Sequence, residues 1–591
     1  MLALAVVLPS LGNEHAASAN GQQKAGQESK ILRFQNAVPG VAYVGSKACS
    51  KCHADIYNHY IETDMGRSMS LVSEPTQLEK VSSPVTVFDK RPNRYFQVFR
   101  EGSNLYQSEY ELGPDGREIF RDTQKIEYAV GSGVNGTSYI VRRGDFLFEA
   151  PLTYYSRKNA WDLSPGYELE NYVFSRPILA GCVACHSGFA RPVPEGNGQF
   201  RDPPFGELAI GCENCHGPGQ LHVVERMRGA PVSDIVDQTI VNPAKLPGWL
   251  ADNICMYCHQ TGDTRVLQPG KDYSDFRPGT PLDNTLAIFS APFSRQSLPA
   301  DPLLQHYMMM ILSKCYRQDG GRLSCITCHN PHEQPSRSEV PVYYRARCLA
   351  CHKSYSCKLP LVRRLTRTPA DDCTVCHMPK QNLKLISHAS LTNHRIITYE
   401  GERYPESAFR QTTPQLPDLI HINAIPGAET LPIKPLVLFQ AYGELMRYHP
   451  NYGARFREQL DQVARIEPDN VYVLSALARK ILLEGTTEAN LEATRYLSRS
   501  IELGSKLIPD YELLADLLSR SGQIAEAIKI LKRAVELAPY SGQPYDALAH
   551  AYFCAHQYSA SLRVVRKGLE LFPGDPSLRS LQRRLEQLGS H

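Results

Sequence analysis

Seven copies of the pattern Cys-x-x-Cys-His lie along this chain of 591 residues. In this pattern two thiols can add to the vinyl groups of a haem while the adjacent imidazole binds the iron, which is the attachment chemistry of c-type haem. Numbered in chain order, the motifs are Cys49/Cys52/His53, Cys182/Cys185/His186, Cys212/Cys215/His216, Cys255/Cys258/His259, Cys325/Cys328/His329, Cys348/Cys351/His352 and Cys373/Cys376/His377. The sequence therefore predicts seven covalently bound c-type haems.

A single Cys-x-x-Cys pair is equally typical of a zinc ligand pair or a redox dithiol. Histidine accounts for 19 of the 591 residues, so chance would place one directly after a given pair about 3% of the time. Here a histidine follows all seven pairs, and neither alternative requires it. The repetition favours haem over zinc or dithiol chemistry.

The second axial position of each iron decides whether the haems only carry electrons. Outside the motifs this region offers six histidines, namely His59, His222, His306, His332, His388 and His394. Met65 competes with His59 for the first haem, and a methionine ligand would raise that haem's potential relative to bis-histidine ligation. If His59 and Met65 both ligate, all seven irons are six-coordinate; otherwise one iron is open and substrate chemistry becomes possible.

The elements that must hold these residues divide the chain into two kinds of sequence. From Gly181 to His394 the motifs are closely spaced among many Pro and Gly residues, which predicts short helices and loops wrapped around haem faces that supply the core. Between the first two motifs, short aromatic and β-branched runs predict a small antiparallel β insertion at about 82–155. The Gly131-x-Gly133-x-x-Gly136 pattern there matches a dinucleotide fingerprint, but a strand follows it rather than a helix, so a loop is favoured.

The C-terminal part repeats at an interval of about 34 residues, as in tetratricopeptide repeats. One copy has Tyr511, Leu514, Ala515, Leu518, Ala527, Leu531, Ala534 and Pro539; the next has Tyr545, Leu548, Ala549, Tyr552, Ser561, Val565, Gly568 and Pro573; a looser, earlier copy has Ala493, Leu497 and Ser500. We therefore predict a mostly α chain: a signal-like segment at 1–19, a heptahaem domain at 20–400, a linker at 401–434, and an α-solenoid at 435–591.

Composition limits the compartment and the partners. An apolar run followed by Ala17-Ser18-Ala19 resembles a secretory signal, which predicts export to the periplasm or the cell exterior. The sequence contains no apolar run of about twenty residues, so no transmembrane helix is predicted. The formal net charge of +3 comes from interspersed acids and bases, and haem propionates would make the loaded protein acidic, so nucleic-acid binding is disfavoured. In such a compartment Cys315 and Cys357, which lie outside the motifs, could form a disulfide.

The segments GCENCHGPGQLH, SCITCHNPH and CTVCHMP followed by LTNHRI resemble the multihaem cytochrome c family of tetrahaem cytochromes and hydroxylamine-oxidoreductase-related proteins. The resemblance implies that His222, His332 and His394 are distal iron ligands. It also implies that a distal histidine often serves a different haem from the motif beside it. The match departs at the first motif, where Met65 stands about where relatives have a ligating histidine.

The leading functional prediction is an exported electron-transfer protein with redox partner proteins and a further protein partner docked on the repeats. The alternative is a multihaem oxidoreductase whose one open iron acts on a small nitrogen or sulfur compound. An assembly scaffold would explain the repeats but not the motifs. High-spin haem, or binding of carbon monoxide, would distinguish the first two predictions.

Overall fold

The structure is a computed structural model that describes residues 34–589 except 79, 168–173, 230–235, 296–304, 383–389, 413–417 and 428–431. The signal-like segment at 1–19 and the candidate ligand His388 therefore lie outside the described residues. Among the residues that are described, no helix combines the length and the apolar character needed to cross a membrane.

A nine-stranded antiparallel sheet forms between the first two motifs. Its strands are β1 (Met69–Leu71), β2 (Val85–Asp89), β3 (Arg94–Glu101), β4 (Asn104–Leu112), β5 (Glu118–Val130), β6 (Gly136–Arg143), β7 (Phe146–Glu149), β8 (Leu152–Tyr155) and β9 (Ala160–Leu163). They pair in the order β2-β3-β4-β5-β6-β8-β9, with β1 on β5 and β7 on β6. Phe96, Leu105, Tyr139 and Trp161 meet in its apolar core.

The glycine-rich pattern at 131–136 is the turn between β5 and β6. Gly131 has φ +116°, and a Cβ on it would lie 2.6 Å from the carbonyl oxygen of Gly136, so a side chain does not fit. Strand β6 begins at Gly136, and the helix that would receive a pyrophosphate is replaced by that strand. The glycines of this pattern allow the chain to reverse direction between β5 and β6.

The prediction of a mostly α chain with a small β insertion was wrong. The strands extend from 69 to 163 and form a full sheet with its own apolar core, so the chain combines a β-rich N-terminal region with a helical C-terminal region. The physical reason lies in strands such as β5, whose sequence EIFRDTQKIEYAV does not alternate regularly between apolar and polar residues. Their pairing with neighbours, rather than their own pattern, makes them strands.

The motif-bearing segment consists of short helices and small sheets. Its helices are α1 (Ser46–Cys49), α2 (Ala54–Tyr60), α3 (Pro75–Leu78), α4 (Ala180–His186), α5 (Glu213–His216), α6 (Gln220–Met227), α7 (Gly248–His259), α8 (His306–Ile311), α9 (Lys314–Gln318), α10 (Cys325–Cys328), α11 (Val340–Leu349), α12 (Leu361–Leu365) and α13 (Cys373–His377). The paired strands are β10 (Phe189–Pro192) with β11 (Phe200–Glu207), β13 (Leu286–Ser290) with both β12 (Thr264–Leu267) and β16 (Ile420–His421), and β14 (Lys380–Asn382) with β15 (Ser390–Thr392).

This segment also has a conventional apolar cluster, which the sequence analysis did not predict. Met256, Phe276, Leu286, Ile288 and Met308 are buried together at the ends of α7, β13 and α8. Part of the core is therefore made by side chains without any contribution from haem faces.

The C-terminal region is a series of helical hairpins. Its helices are α14 (Pro435–Leu445), α15 (Gly453–Ile466), α16 (Val471–Leu482), α17 (Thr487–Glu502), α18 (Ile508–Arg520), α19 (Ile524–Leu537), α20 (Gly542–Cys554), α21 (Tyr558–Leu571) and α22 (Pro576–Gly589). The small residues of the repeated pattern are buried between paired helices, and a Cβ on Gly568 would lie 2.7 Å from Leu578 of α22. The predicted tetratricopeptide repeats are confirmed.

The loops between successive repeats pack against the nine-stranded sheet. Tyr540, which precedes α20, contacts the rings of Phe146 and Phe148 edge-on, with centroids 5.6 and 5.8 Å away. Arg94 of β3 is buried and donates a hydrogen bond of 3.1 Å to the carbonyl oxygen of Gly574, just before α22. One edge of the solenoid is therefore occupied by the chain's own sheet.

The pH dependence of the free energy of unfolding tests the burial of Lys80 against the nine-stranded sheet. Its ammonium group donates to Gln77 Oε1 (2.7 Å) and Thr137 Oγ1 (3.0 Å), both uncharged, and burial lowers its pKa to about 8. The unfolded chain, with a lysine pKa of about 10.4, binds more protons between these values. The free energy of unfolding should therefore rise as pH increases from about 8 to 10.

We expect Lys80→Met to flatten this rise in urea titrations. The control Lys90→Met removes an exposed lysine and should leave the rise unchanged. Equal slopes of the free energy of unfolding against pH in both variants would contradict the assignment to Lys80.

Candidate functional site

A helical turn positions the ligands within several motifs. The backbone N–H of the motif histidine donates to the carbonyl oxygen of the first cysteine in motifs 1, 3, 5 and 6, at 2.9, 3.0, 3.0 and 2.9 Å. Residues i, i+3 and i+4 share one face of a helical turn. The two thiols and the imidazole of a motif therefore point to the same side, as attachment of one planar group requires.

Four motif histidines each face a histidine from another part of the chain. The ring-centroid distances are 6.5 Å for His53–His222, 5.9 Å for His216–His332, 5.5 Å for His259–His306 and 6.1 Å for His329–His394. Two imidazoles that bind one metal ion from opposite sides, with metal–nitrogen distances of about 2.0–2.1 Å, have centroids roughly 6.3 Å apart. Three of the spacings lie within about 0.4 Å of this value, whereas His259–His306 is shorter. The rings of His306 and His394 also lie 4.3 Å apart, so two of the pairs are direct neighbours.

Hydrogen bonds to Nδ1 leave Nε2 as the free nitrogen of these rings. Nδ1 of His216 lies 2.7 Å from the carbonyl oxygen of Val241, and Nδ1 of His394 lies 3.0 Å from that of Thr392. Such partners fix the tautomer and orientation of metal-binding imidazoles. Burial lowers the pKa of His306 to about 3 and that of His394 to about 4, so both rings are neutral near pH 7, which is the form that binds metals.

Cysteines of different motifs also contact one another. Thiols that lie close enough to interact electrostatically join motifs 1 and 3 (Cys49, Cys212), 2 and 4 (Cys185, Cys258), 4 and 5 (Cys255, Cys325), and 6 and 7 (Cys348, Cys373). The interaction with the Cys258 thiol lowers the pKa of Cys185 to about 6. Cys215 also lies close to Cys255, and Cys328 close to Cys351. The motifs thus form one connected series, 1-3-4-5-6-7, with motif 2 beside motif 4.

Four motif cysteines are exposed to solvent, namely Cys52, Cys182, Cys351 and Cys376. Cys52 follows the one-turn helix α1, and Cys376 lies on the short helix α13, where its sulfur accepts a hydrogen bond of 3.8 Å from Arg367. Such short helices leave one side of each turn uncovered. Haem attachment at these four cysteines, as at the other ten motif cysteines, stays a prediction.

The other sequence-predicted ligands are not brought to a motif histidine. His59 is exposed on α2 and Met65 lies half-buried in the following turn, while His53 of motif 1 already faces His222. Within the described residues, His186, His352 and His377 face no second imidazole. Cys315 and Cys357, like the other fifteen cysteines, lie within the described ranges and form no disulfide.

Sequence reasoning missed three side chains that support these groups. The Asp237 carboxylate lies 2.9 Å from His222 Nδ1, and the Tyr344 hydroxyl lies 3.1 Å from His329 Nδ1. Glu213, inside motif 3, is buried and accepts hydrogen bonds from the backbone N–H groups of Val44, Gly45 and Gly219. Only Glu213 had a signal in the sequence, as an acidic residue between two motif cysteines.

A bare metal ion would need a different arrangement from the one seen here. Across the described part of the chain, no three His, Cys, Asp or Glu side chains converge as ligands. An axially ligated haem needs only two side chains for each iron, because the macrocycle supplies the rest. The paired imidazoles supply the two side chains that such a group would need.

Comparison with known proteins gives matches only for the repeats. No family model matches the chain, and no curated protein matches it. Similar solved structures include the tetratricopeptide protein TTC0263 of Thermus thermophilus (18% identity over 27% of this chain and 85% of that one, TM-score 0.22). Others are the first such domain of human RPAP3 (20% identity, 20% and 93% coverage, TM-score 0.19) and YrrB, described as a tetratricopeptide protein with an unusual peptide-binding site (14% identity, 27% and 78% coverage, TM-score 0.24).

The resemblance to the multihaem cytochrome c family was wrong. The structural matches are tetratricopeptide proteins, with no cytochrome among them, and only the repeat part of the family prediction is supported. The segments that carried the resemblance are short and centre on Cys-x-x-Cys-His, whose spacing is set by attachment chemistry rather than by a fold. The case for haem therefore depends on this chain's own residues.

Proposed function

We propose that this chain attaches c-type haem at its seven motifs and carries electrons between protein partners, as an exported protein. The observation that supports this most directly is the set of four imidazole pairs, each joining a motif histidine to a distant histidine at 5.5–6.5 Å. Neither a structural disulfide nor a zinc ligand pair would require a second imidazole at this distance from each motif histidine.

In this proposal the side chains attach the haems, ligate their irons and fix the orientation of the axial imidazoles. The motif cysteines form the thioether links, and the paired histidines hold both axial positions, with Nδ1 fixed by carbonyl oxygens or side chains. Bound haem supplies an iron that alternates between ferrous and ferric states. The contacts between motifs keep successive attachment sites adjacent, and a relay needs that adjacency because electron transfer falls steeply with distance.

The repeats provide the surface for a protein partner. Stacked helical hairpins present an extended surface, and protein–protein interaction is the usual role of such solenoids. The chain's own sheet contacts the loops that carry Tyr540 and Gly574, and α14 packs against β12 and β13, so we place the partner on the remaining surface of the repeats. A partner bound there would be held at a fixed distance from the haem-binding segment.

Counting covalent haem tests the proposal. The full chain, expressed with a c-type maturation system, should carry seven haems that survive denaturation, as measured by mass and by pyridine haemochrome absorbance. Replacing Cys212 and Cys215 together with alanine should give six. The matched control, Cys554→Ala on a repeat helix, should keep seven. Absence of covalent haem, or disulfides such as Cys49 to Cys212 in the mass spectrum, would overturn the proposal.

An oxidoreductase acting on a small nitrogen or sulfur compound is the second candidate. It is favoured by one observation: His186, His352 and His377 face no second imidazole within the described ranges. An iron at one of these motifs would then have a free axial position for a ligand. A high-spin ferric signal and carbon monoxide binding in the purified protein would support this function, whereas seven low-spin haems would exclude it.

A further inference from the structure

The carboxylate of Asp237 sets one axial histidine apart from the others. Its Oδ2 atom lies 2.9 Å from Nδ1 of His222, the ring that faces His53 of motif 1. The Nδ1 atoms of His216, His306 and His394 instead meet uncharged carbonyl oxygens at 2.7, 3.2 and 3.0 Å. Nδ1 of His329 meets the phenol of Tyr344. Among these five rings, only His222 has an anionic partner.

Asp237 is held firmly in this position. Its Oδ1 atom accepts hydrogen bonds from the backbone N–H and the hydroxyl of Thr239, at 2.8 and 2.5 Å, and Arg226 approaches Oδ2 at 3.3 Å. The carboxylate is 17% exposed, so solvent screens its charge only in part. These contacts point one oxygen at the imidazole and prevent it from turning away.

We infer that Asp237 positions His222 and makes motif 1 the lowest-potential haem among motifs 1, 3, 4 and 5. A carboxylate that accepts the Nδ1 proton gives the imidazole anionic character, and a more basic ligand stabilises ferric over ferrous iron. Uncharged carbonyl and phenol partners give the imidazole less anionic character and therefore stabilise ferric iron less. Motif 1 lies at one end of the connected series, so the transfer of an electron from motif 1 to its neighbour, motif 3, would be favourable.

This inference depends on the proposed haem binding and has its own readout. In a spectroscopic redox titration of the haem-loaded full chain, Asp237→Asn should raise the lowest midpoint potential. The expected change is roughly tenfold in the ferric/ferrous equilibrium, which is about 59 mV for a one-electron couple. The variant His222→Met identifies which midpoint potential in the titration belongs to the haem of motif 1, because a thioether ligand raises the midpoint potential of the haem that it ligates.

The matched control is Glu225→Gln. Glu225 carries the same charge as Asp237, lies on α6 with His222, and approaches the same Arg226 at 3.7 Å, but its ion pair is with that arginine and not with an axial imidazole. It should leave all midpoints unchanged. If Asp237→Asn retains the wild-type haem count and spin states with unchanged midpoints, the inference is overturned while haem binding stands; a wild-type chain without covalent haem would remove both.

Discussion

Replacing His332 with alanine should convert one haem of the loaded protein from low-spin to high-spin. The His332 ring faces His216 of motif 3 at 5.9 Å, with an angle of 11° between the ring planes. Alanine offers no ligand, so the iron held by His216 would be left with an open or water-bound position. Since Cys212 and Cys215 make the covalent link, the count should stay at seven haems. Electron paramagnetic resonance of the oxidised protein measures the change.

The control for this prediction is His556→Ala. His556 is exposed in the turn between α20 and α21, far along the chain from every motif, and its Nδ1 contacts only the hydroxyl of Tyr558 at 3.0 Å. Its removal should leave all spin states unchanged. A low-spin spectrum for His332→Ala, with no new binding of carbon monoxide, would show that His332 does not ligate the motif 3 iron.

The seven Cys-x-x-Cys-His motifs could be recognised from the sequence because the geometry of each one is local. Two thiols and an imidazole at i, i+3 and i+4 are fixed by one helical turn, whatever surrounds it. The pairing of the rings is not local: His222 closely follows motif 3 in the chain, yet it faces His53 of the distant motif 1. That placement depends on contacts between the segment before motif 1 and the start of α6, such as the hydrogen bonds between Ala42 and Gln220, which no spacing in the sequence records.

The fold, too, has one part that the sequence predicts well and another part that it does not. The repeats were recognised because each hairpin repeats the same small residues at an interval of about 34 residues, so the pattern itself encodes the close approach of paired helices. The nine-stranded sheet was underestimated because β5 presents charged and polar residues on both faces over much of its length, and its strand character comes from pairing with β4 and β6. Asp237 was missed because a carboxylate 15 residues after its histidine, past the end of α6, has no recognisable sequence signal.

Replacing Glu213 with alanine should destabilise the chain on the order of 3 kcal/mol, because three N–H groups would lose their acceptor and each one that water cannot reach costs about 1–3 kcal/mol. The side chain is 5% exposed and accepts backbone hydrogen bonds from Val44 (2.9 Å), Gly45 (2.7 Å) and Gly219 (2.7 Å). It therefore joins the segment before motif 1 to motif 3 and to the turn that carries His222.

Urea unfolding of the full chain measures this loss, with Glu225→Ala as the comparison. Glu225 is 43% exposed and has one loose ion pair, so its removal should change the free energy of unfolding by less than about 0.5 kcal/mol. Glu213→Gln should fall between the two, because an amide keeps one accepting oxygen but turns its NH₂ group towards the donors. Equal midpoints for Glu213→Ala and Glu225→Ala would mean that motifs 1 and 3 are held together by their haems and thiols rather than by this carboxylate.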